Sequence, residues 1–193
     1  MEHLLVLDNY DSFTYNLVHL LKDLGCQDIE VHRNDQVEIE ELQRFQAIVL
    51  SPGPGLPEEA GIMPELVRRF APAKRILGIC LGHQCIAEAF GGRLRRLETL
   101  VHGKDPLTRV IDPEDPLFEG LPSEFRTGRY HSWVVDQKDF PACLHITAVD
   151  AAGDVMALRH RAYHVCGLQF HPESVMTPVG RDILRNWLRG ERR

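Results

Sequence analysis

Short apolar runs alternate with amphipathic segments of helical spacing through the first half of the chain, and this alternation constrains the fold most. The run Leu4-Leu5-Val6-Leu7 is apolar on both faces, as is typical of a central parallel strand. Helices are predicted after it at 13–24, at 64–70 with Pro64 in the first turn, and at 82–90. Strands separated by helices of this length favour right-handed βαβ units and a mainly parallel sheet.

The pattern changes after Gly92, where few helices separate the strands. Strands are predicted at 3–8, 29–32, 47–50, 75–79, 107–111, 125–130, 144–149, 155–160 and 165–170, before a last helix at 179–188. Asp11 or Ser12 is predicted to cap the first helix and Gly25 to end it. We therefore predict an α/β fold: an open, mostly parallel twisted sheet with helices on both faces and added antiparallel strands. Because no linker or repeat is visible, residues 1–193 are predicted to form one domain.

Charge and composition exclude several classes of protein. The chain has 193 residues and a formal net charge of −6, which argues against a general nucleic-acid binder. It contains no apolar run near the roughly 18 residues that a membrane span needs, and its start lacks the basic and apolar regions of a signal peptide. Five cysteines without regular spacing suit reduced thiols better than a disulfide framework. We expect a cytoplasmic protein that binds neither nucleic acid nor membrane.

Unusual residues follow four of the predicted strands. The segments are 8–12, 51–55, 80–82 and 171–173, and each begins where a strand ends. Ligands of open parallel sheets bind outside the carboxyl ends of the strands. The sequence therefore predicts a functional site at this edge.

Cys80 lies at a predicted strand–helix junction with a glycine two residues to either side. A nucleophile on such a turn has a strained backbone, and Gly78 and Gly82 relieve the crowding, as in the G-x-S-x-G elbow of hydrolases. The helix N-terminus favours a thiolate, and the N–H of Leu81 points to where an oxyanion could develop. The alternative interpretation is that Cys80 is a small buried apolar residue.

The segment His171-Pro172-Glu173 supplies the groups that a thiol nucleophile needs. The imidazole of His171 can take the thiol proton and return it to a leaving amine, and Glu173 can orient the ring. Taken alone, the segment is more often a strand end with a salt bridge. The segment indicates catalysis only in combination with Cys80.

The segment Ser51-Pro52-Gly53-Pro54-Gly55 predicts a rigid loop whose backbone groups are exposed. Such a loop can hold the backbone-like atoms of an amino acid, with a second oxyanion N–H from Gly53. A simple surface turn is the alternative. The loop is not a P-loop, because no Gly-Lys-Ser/Thr follows it.

The remaining thiols are not expected to react. We expect core packing for Cys26, Cys85, Cys143 and Cys166. A zinc site drawn from Cys80, His83, His131 or His171 is a minor alternative, and we expect no metal.

Five motifs together resemble those of one family over essentially the whole chain. They are Asp8-Asn9-Tyr10-Asp11-Ser12-Phe13-Thr14, Gly78-Ile79-Cys80-Leu81-Gly82-His83-Gln84, His102-Gly103-Lys104, Arg129-Tyr130-His131-Ser132 and Gln169-Phe170-His171-Pro172-Glu173-Ser174. The combination resembles the class I (triad type) glutamine amidotransferases, and specifically the small subunit (component II) of anthranilate synthase and aminodeoxychorismate synthase.

The resemblance implies that the protein hydrolyses L-glutamine to glutamate and ammonia through a thioester on Cys80. It implies His171 as the base and then the acid, Glu173 as its orienting group, and Gly53 and Leu81 as the oxyanion hole. The residues it implies for glutamine binding are Gly53, Pro54, Gly55, Gln84, Ser132 and Trp133. No cofactor is implied. Ammonia would pass to a large chorismate-binding synthase subunit (component I), for synthesis of anthranilate, 4-amino-4-deoxychorismate or both.

Two positions depart from the family pattern. Trp133 stands where the family usually has an aliphatic residue, and Asp105 stands where Ser or Thr commonly follows His-Gly-Lys. The first departure concerns the wall of the glutamine pocket and the second the choice of partner. Two other functions remain open from the residues alone: a thiol amidase that acts without a partner, and a non-catalytic flavodoxin-like binding module that uses Asp8 and Asp11.

Overall fold

A computed structural model describes residues 3–190, without the side chains of residues 98–102. Its helices are α1 (Thr14–Asp23), α2 (Met63–Phe70), α3 (Leu81–Ala89) and α4 (Gly180–Arg189). Its strands are β1 (Leu4–Asp8), β2 (Ile29–Arg33), β3 (Ala47–Leu50), β4 (Arg75–Ile79), β5 (Leu94–Lys104), β6 (Leu107–Val110), β7 (Glu124–Arg126), β8 (Arg129–Val135), β9 (Leu144–Asp150), β10 (Val155–His160) and β11 (Val165–Leu168). Short 3₁₀ helices lie at Ile39–Arg44, Pro57–Glu59 and Pro116–Phe118.

One large sheet carries most of the described strands. Its nine strands have the order β2-β1-β3-β4-β11-β10-β9-β6-β7, and β5 pairs with β8 in a separate two-stranded sheet. Five neighbouring strands of this order, β2, β1, β3, β4 and β11, are parallel to one another. The other four, β10, β9, β6 and β7, each pair antiparallel with the strand before them in the order. This architecture confirms the predicted fold class.

The central parallel strands β1, β3 and β4 are buried on both faces because helices cover each side. Leu5 and Leu7 belong to an apolar cluster with residues of α2 and α3, while Leu4 and Val6 belong to a second cluster with residues of α1 and α4. Successive side chains of a strand point to opposite faces. All four residues are almost fully buried, and each fully buried leucine contributes about 2 kcal/mol to folding.

The ends of α1 agree only partly with the prediction. The N-cap residue is Phe13, without a side-chain cap, so the predicted capping by Asp11 or Ser12 is wrong. Asp11 instead accepts a hydrogen bond from the backbone N–H of Phe13 at 2.8 Å, which makes a turn before the helix. Gly25 adopts a φ of +97° just beyond the C-cap Leu24, and this confirms it as the end of the helix.

The strand predicted at 125–130 is two strands in different sheets. Strand β7 ends at Arg126, and β8 begins at Arg129. Between them, Gly128 lies so close to the loop after β11 that a β-carbon would be 2.7 Å from Oγ of Ser174. Its N–H donates to Oγ1 of Thr177 at 2.9 Å, and its carbonyl accepts from the N–H of His171 at 3.0 Å. The chain therefore leaves one sheet where it contacts this loop.

Candidate active site

Four adjacent parallel strands bring the predicted functional segments to one edge of the sheet. Strands β1, β3, β4 and β11 are neighbours in the sheet order, and they are paired in parallel. The segments 8–12, 51–55, 80–82 and 171–173 follow these four strands. The prediction that they share an edge is confirmed.

Cys80 lies on a strained turn between β4 and α3. Its backbone angles, φ of 52° and ψ of −100°, define a conformation that residues with a side chain rarely adopt. A β-carbon on Gly78 would lie 2.7 Å from the backbone nitrogen of His83 and closer still to the carbonyl of Gly82. A β-carbon on Gly82 would lie 2.6 Å from the carbonyl oxygen of Leu50 in β3. Both glycines are therefore required by close backbone approach, as the elbow prediction states.

His171 and Glu173 form a short contact away from water. Nδ1 of His171 lies 2.7 Å from Oε1 of Glu173, and the two side chains are 3% and 0% exposed. The imidazole also has edge-on contacts with the rings of Tyr130 and Phe13, at centroid distances of 4.9 and 5.7 Å. The carboxylate and the two rings together fix the orientation of the imidazole.

Cys80 and His171 interact electrostatically across this site. Burial disfavours the charged imidazole, but interactions with Cys80 and Glu173 outweigh it and raise the pKa of His171 to about 10. Within residues 3–190, Nε2 of His171 is buried and has no partner with hydrogen-bond geometry. The raised pKa means that the folded site favours the charged form of the imidazole.

Gly53 lies against the start of α3. A β-carbon on Gly53 would be 2.6 Å from the carbonyl oxygen of Asn9 and 3.0 Å from Cδ2 of Leu81. Leu81 is the first residue of α3, so its N–H has no acceptor within the helix. The structure thus brings Gly53 into contact with the side chain of Leu81, whereas the role of their backbone N–H groups as an oxyanion hole stays a prediction. Pro54 and Gly55 follow as exposed residues of the same loop.

A buried asparagine connects the loops after the first three strands, and no role was predicted for it. The backbone N–H of Asn9 donates to Oγ of Ser51 at 2.9 Å, and its side-chain Nδ2 donates to the carbonyl of Ser51 at 2.8 Å. Nδ2 of Asn34 donates to Oδ1 of Asn9 at 3.0 Å. Asn9 stands in a motif that the sequence singles out, but its partners are distant along the chain and only the folded sheet places them.

The other predicted glutamine-binding residues meet on β8 and α3. Gln84 is 4% exposed, and its Nε2 donates to the backbone carbonyl of Trp133 at 2.9 Å. Ser132 and Trp133 are half-buried in β8. Nε2 of Gln84 also donates to Oε1 of Gln169 at 3.2 Å, and Nε2 of Gln169 lies 3.7 Å from Sγ of Cys80. Gln169 belongs to one of the five motifs, but its contact with the sulfur was not predicted.

Two further histidines of the motifs are buried and neutral. Burial lowers the pKa of His83 to about 3, and burial with the nearby Arg129 lowers that of His131 to about 4. In the described part of the chain, neither ring nitrogen of His83 has a partner with hydrogen-bond geometry, although Nδ1 lies close to the backbone of Gly167. Neutral, buried rings of this kind support the site by packing.

The other cysteines pack against apolar neighbours, as expected. Cys85 is fully buried in the core, and burial raises the pKa of its thiol to about 12. Cys26, Cys143 and Cys166 are half-buried at the edges of the apolar clusters. Within residues 3–190 no disulfide is formed, and no group of three or more His, Cys, Asp or Glu side chains has the arrangement of a metal site. None of the helices described there is long and apolar enough to cross a bilayer.

The comparison with known families gives the class of the protein. Residues 5–190 match the family model of the class-I glutamine amidotransferases. The chain therefore belongs to this family, and the resemblance predicted from its motifs is confirmed.

The names of curated relatives indicate the subfamily within this family. The chain is 45% identical over 188 residues to the aminodeoxychorismate/anthranilate synthase component 2 of Bacillus subtilis, covering 96% of this chain and 95% of that protein. It is 46% identical over 193 residues to the anthranilate synthase component 2 of Azospirillum brasilense, with 98% and 97% covered. It is also 45% identical to a chloroplastic anthranilate synthase beta subunit of Arabidopsis thaliana, with 96% and 70% covered.

Solved structures agree with the fold. A candidate GMP synthase subunit from Thermoplasma acidophilum superposes with a TM-score of 0.87 at 30% identity, over 97% of this chain and 92% of that one. A glutamine amidotransferase from Thermotoga maritima superposes with a TM-score of 0.79 at 15% identity, over 97% of both chains. The second likeness concerns the fold alone.

Proposed function

We propose that this protein is the glutaminase subunit of a chorismate-utilising synthase. It hydrolyses L-glutamine to glutamate and ammonia and delivers the ammonia to a large chorismate-binding subunit (component I). The observation that carries the proposal is the pairing of Cys80, on its glycine-flanked turn, with the buried His171–Glu173 pair. The names of the relatives support both anthranilate and aminodeoxychorismate synthesis, and that of the Bacillus subtilis protein includes both.

In the first half of the proposed reaction, the thiolate of Cys80 attacks the carboxamide carbon of glutamine. The backbone N–H groups of Gly53 and Leu81 stabilise the oxyanion of the tetrahedral intermediate. The imidazolium of His171 gives its proton to the leaving nitrogen. Ammonia departs, and a γ-glutamyl thioester remains on the sulfur.

In the second half, water hydrolyses the thioester. Neutral His171 takes a proton from the attacking water, and the new oxyanion occupies the same pair of N–H groups. Collapse of this intermediate breaks the carbon–sulfur bond and releases glutamate. Glu173 orients the ring in both halves and stabilises its charged form.

Glutamine binding is assigned to residues on both sides of the elbow. They are Gly53, Pro54 and Gly55 in the loop after β3, Gln84 on α3, and Ser132 and Trp133 on β8. Nε2 of Gln84 is committed to Trp133 and Gln169, so Oε1 is the atom that we assign to the substrate.

The partner completes the proposed activity. The large subunit binds and aminates chorismate, and this chain requires no cofactor, nucleic acid or membrane for its own half of the reaction. We propose the cytoplasm as its location and a single glutamine amidotransferase domain over residues 1–193, which the family match over residues 5–190 supports.

The test uses a glutamine-like electrophile on the complex with its large subunit. Diazo-oxo-norleucine should label Cys80, located by peptide mass mapping, and Cys80→Ser should abolish glutamine-dependent synthesis while ammonia-dependent synthesis continues. An unlabelled Cys80 in the complex would contradict the proposal. Full glutaminase activity without any partner would instead favour a stand-alone thiol amidase, and a bound flavin would favour a flavodoxin-like module.

A further inference from the structure

Gln169 occupies a position between the nucleophile and the strand assigned to glutamine binding. It directly follows β11, its side chain is fully buried, and its backbone N–H donates to the carbonyl of Met156 at 2.9 Å. Its side-chain Nε2 lies 3.7 Å from Sγ of Cys80, within the range for a hydrogen bond to sulfur. A buried amide that is anchored in this way has little freedom to move.

The neighbouring groups determine which end of the amide faces the sulfur. The carbonyl of Trp133 can only accept, so the side-chain atom of Gln84 that lies 2.9 Å from it must be the nitrogen. This nitrogen also lies 3.2 Å from the side chain of Gln169, which must therefore present its oxygen there. The nitrogen of Gln169 is then left to face Cys80.

We propose that Gln169 is a further catalytic residue, which donates a hydrogen bond from Nε2 to the sulfur of Cys80 and holds the thiolate in position. Gln84 is the positioning residue that fixes the direction of this donor. The proposal rests on the function proposed above, since it assumes that the sulfur of Cys80 is the nucleophile.

The proposed donor complements the histidine. Nε2 of His171 is buried and, within the described residues, has no partner with hydrogen-bond geometry, although the interaction with Cys80 helps to raise the pKa of the imidazole. The N–H donor of Gln169 gives the sulfur a directed contact from a second, rigid side chain. Hydrogen bonds to charged groups are stronger than neutral ones, so the contact favours the thiolate over the thiol. It also connects the backbone of Trp133 to the nucleophile through two side chains.

The experiment compares Gln169→Met and Gln169→Glu in the complex with the large subunit. Met keeps the length of the side chain without the donor, and Glu places an oxygen where the nitrogen faced the sulfur. Gln43→Met is the matched control, because Gln43 is exposed and lies in the 3₁₀ helix Ile39–Arg44, outside the site. The measurements are the pH profile of Cys80 alkylation by iodoacetamide, and kcat and KM for glutamine hydrolysis.

For Gln169→Met we expect kcat to fall about tenfold with KM changed less than about twofold, because a hydrogen bond to a charged group is lost. The alkylation profile should move to higher pH by about one unit, and further in Gln169→Glu because an acceptor then faces the thiolate. The proposal would be overturned if both variants had the same alkylation profile and the same kcat as Gln43→Met.

Two controls separate the possible failures. Co-purification with the large subunit shows whether a variant still folds and assembles. If Gln169→Met does not fold and assemble, Gln84→Met is tested in its place. In that variant the direction of the Gln169 donor is no longer fixed, so the alkylation profile should shift to higher pH by a smaller amount. An unchanged profile would contradict the proposal. If the unaltered complex does not hydrolyse glutamine, the proposed function fails, whereas the alkylation profiles still report whether Gln169 donates to the sulfur.

Discussion

Gly82 lies so close to Leu50 that a β-carbon would be 2.6 Å from the carbonyl oxygen of that residue. Leu50 ends β3, and Gly82 lies in the first turn of α3, so the helix carrying the elbow packs directly on a strand backbone. This approach excludes any larger residue at the position.

The first prediction is that Gly82→Ala destabilises the fold. The added carbon overlaps backbone atoms, and we expect a loss of about 3 kcal/mol in the free energy of unfolding, because overpacking against main chain cannot be relieved by a rotamer change. Urea unfolding measures it. Gly120→Ala is the control: its φ is +73° but the space around it is open, so only backbone strain of about 1 kcal/mol is expected. Equal losses at the two positions would contradict the packing argument.

The second prediction concerns Glu173→Gln. The amide keeps the shape of the carboxylate but not its charge, so the imidazolium of His171 loses its stabilising partner at 2.7 Å. We expect kcat for glutamine hydrolysis to fall about 100-fold, with ammonia-dependent synthesis unchanged. Steady-state kinetics of the complex measure both. Glu65→Gln, on the exposed side of α2, should match the unaltered protein.

The third prediction is a loss of stability at alkaline pH. Folding raises the pKa of His171 from 6.5 to about 10, so the folded state binds the proton more tightly than the unfolded state. Its contribution is present in full below pH 6.5 and is lost as the pH rises through about 10. Denaturant unfolding of the unaltered chain and of His171→Gln should show a stability difference that shrinks over this range. A constant difference would argue against a charged imidazole.

The fourth prediction is a separate loss of stability at acid pH. The pKa of His83 falls on folding from 6.5 to about 3, so the unfolded state takes up the proton first. Stability from its neutral form is present above pH 6.5 and declines as the pH falls toward 3. His83→Met should therefore lose less stability than the unaltered chain between these pH values, as thermal unfolding would reveal. An identical decline in both proteins would count against the prediction.

The fifth prediction is that Asn9→Ala weakens glutamine binding. Removing the side chain leaves the carbonyl of Ser51 without its donor and loosens the loop that carries Gly53. We expect kcat/KM for glutamine to fall about tenfold, since an unsatisfied buried group costs about 1–3 kcal/mol. Asn16→Ala, at an exposed position of α1, should have no such effect. If both variants keep full kcat/KM, the asparagine does not support the loop.

The sequence predicted the central parallel strands well because they contain uninterrupted apolar runs, at 4–7 in β1 and 47–50 in β3. Strands β3 and β4 have the predicted bounds, as does the antiparallel strand β10. The ends of the parallel strands meet at one edge because these strands run in the same direction. The break between β7 and β8 was missed, because its cause is a contact between Gly128 and the distant loop at 171–177. Nothing local in the sequence reports such a contact.

The site was predicted to the extent that its residues form compact motifs. The glycines around Cys80 and the short His171–Glu173 spacing are local, and geometry agrees with both. The connections of Asn9 and Gln169 are long-range, with partners more than 20 residues away, so only the sheet order reveals them. The roles assigned to the glutamine-binding residues stay predictions.

The position of β11 in the sheet has a consequence for biosynthesis of the chain. This strand inserts between β4 and β10, although it follows both in the sequence. A polypeptide still emerging from the ribosome thus presents its cysteine turn before the proton acceptor has been made. His171 and Glu173 follow this last strand, so a chain that ends before them lacks two of the three predicted catalytic groups.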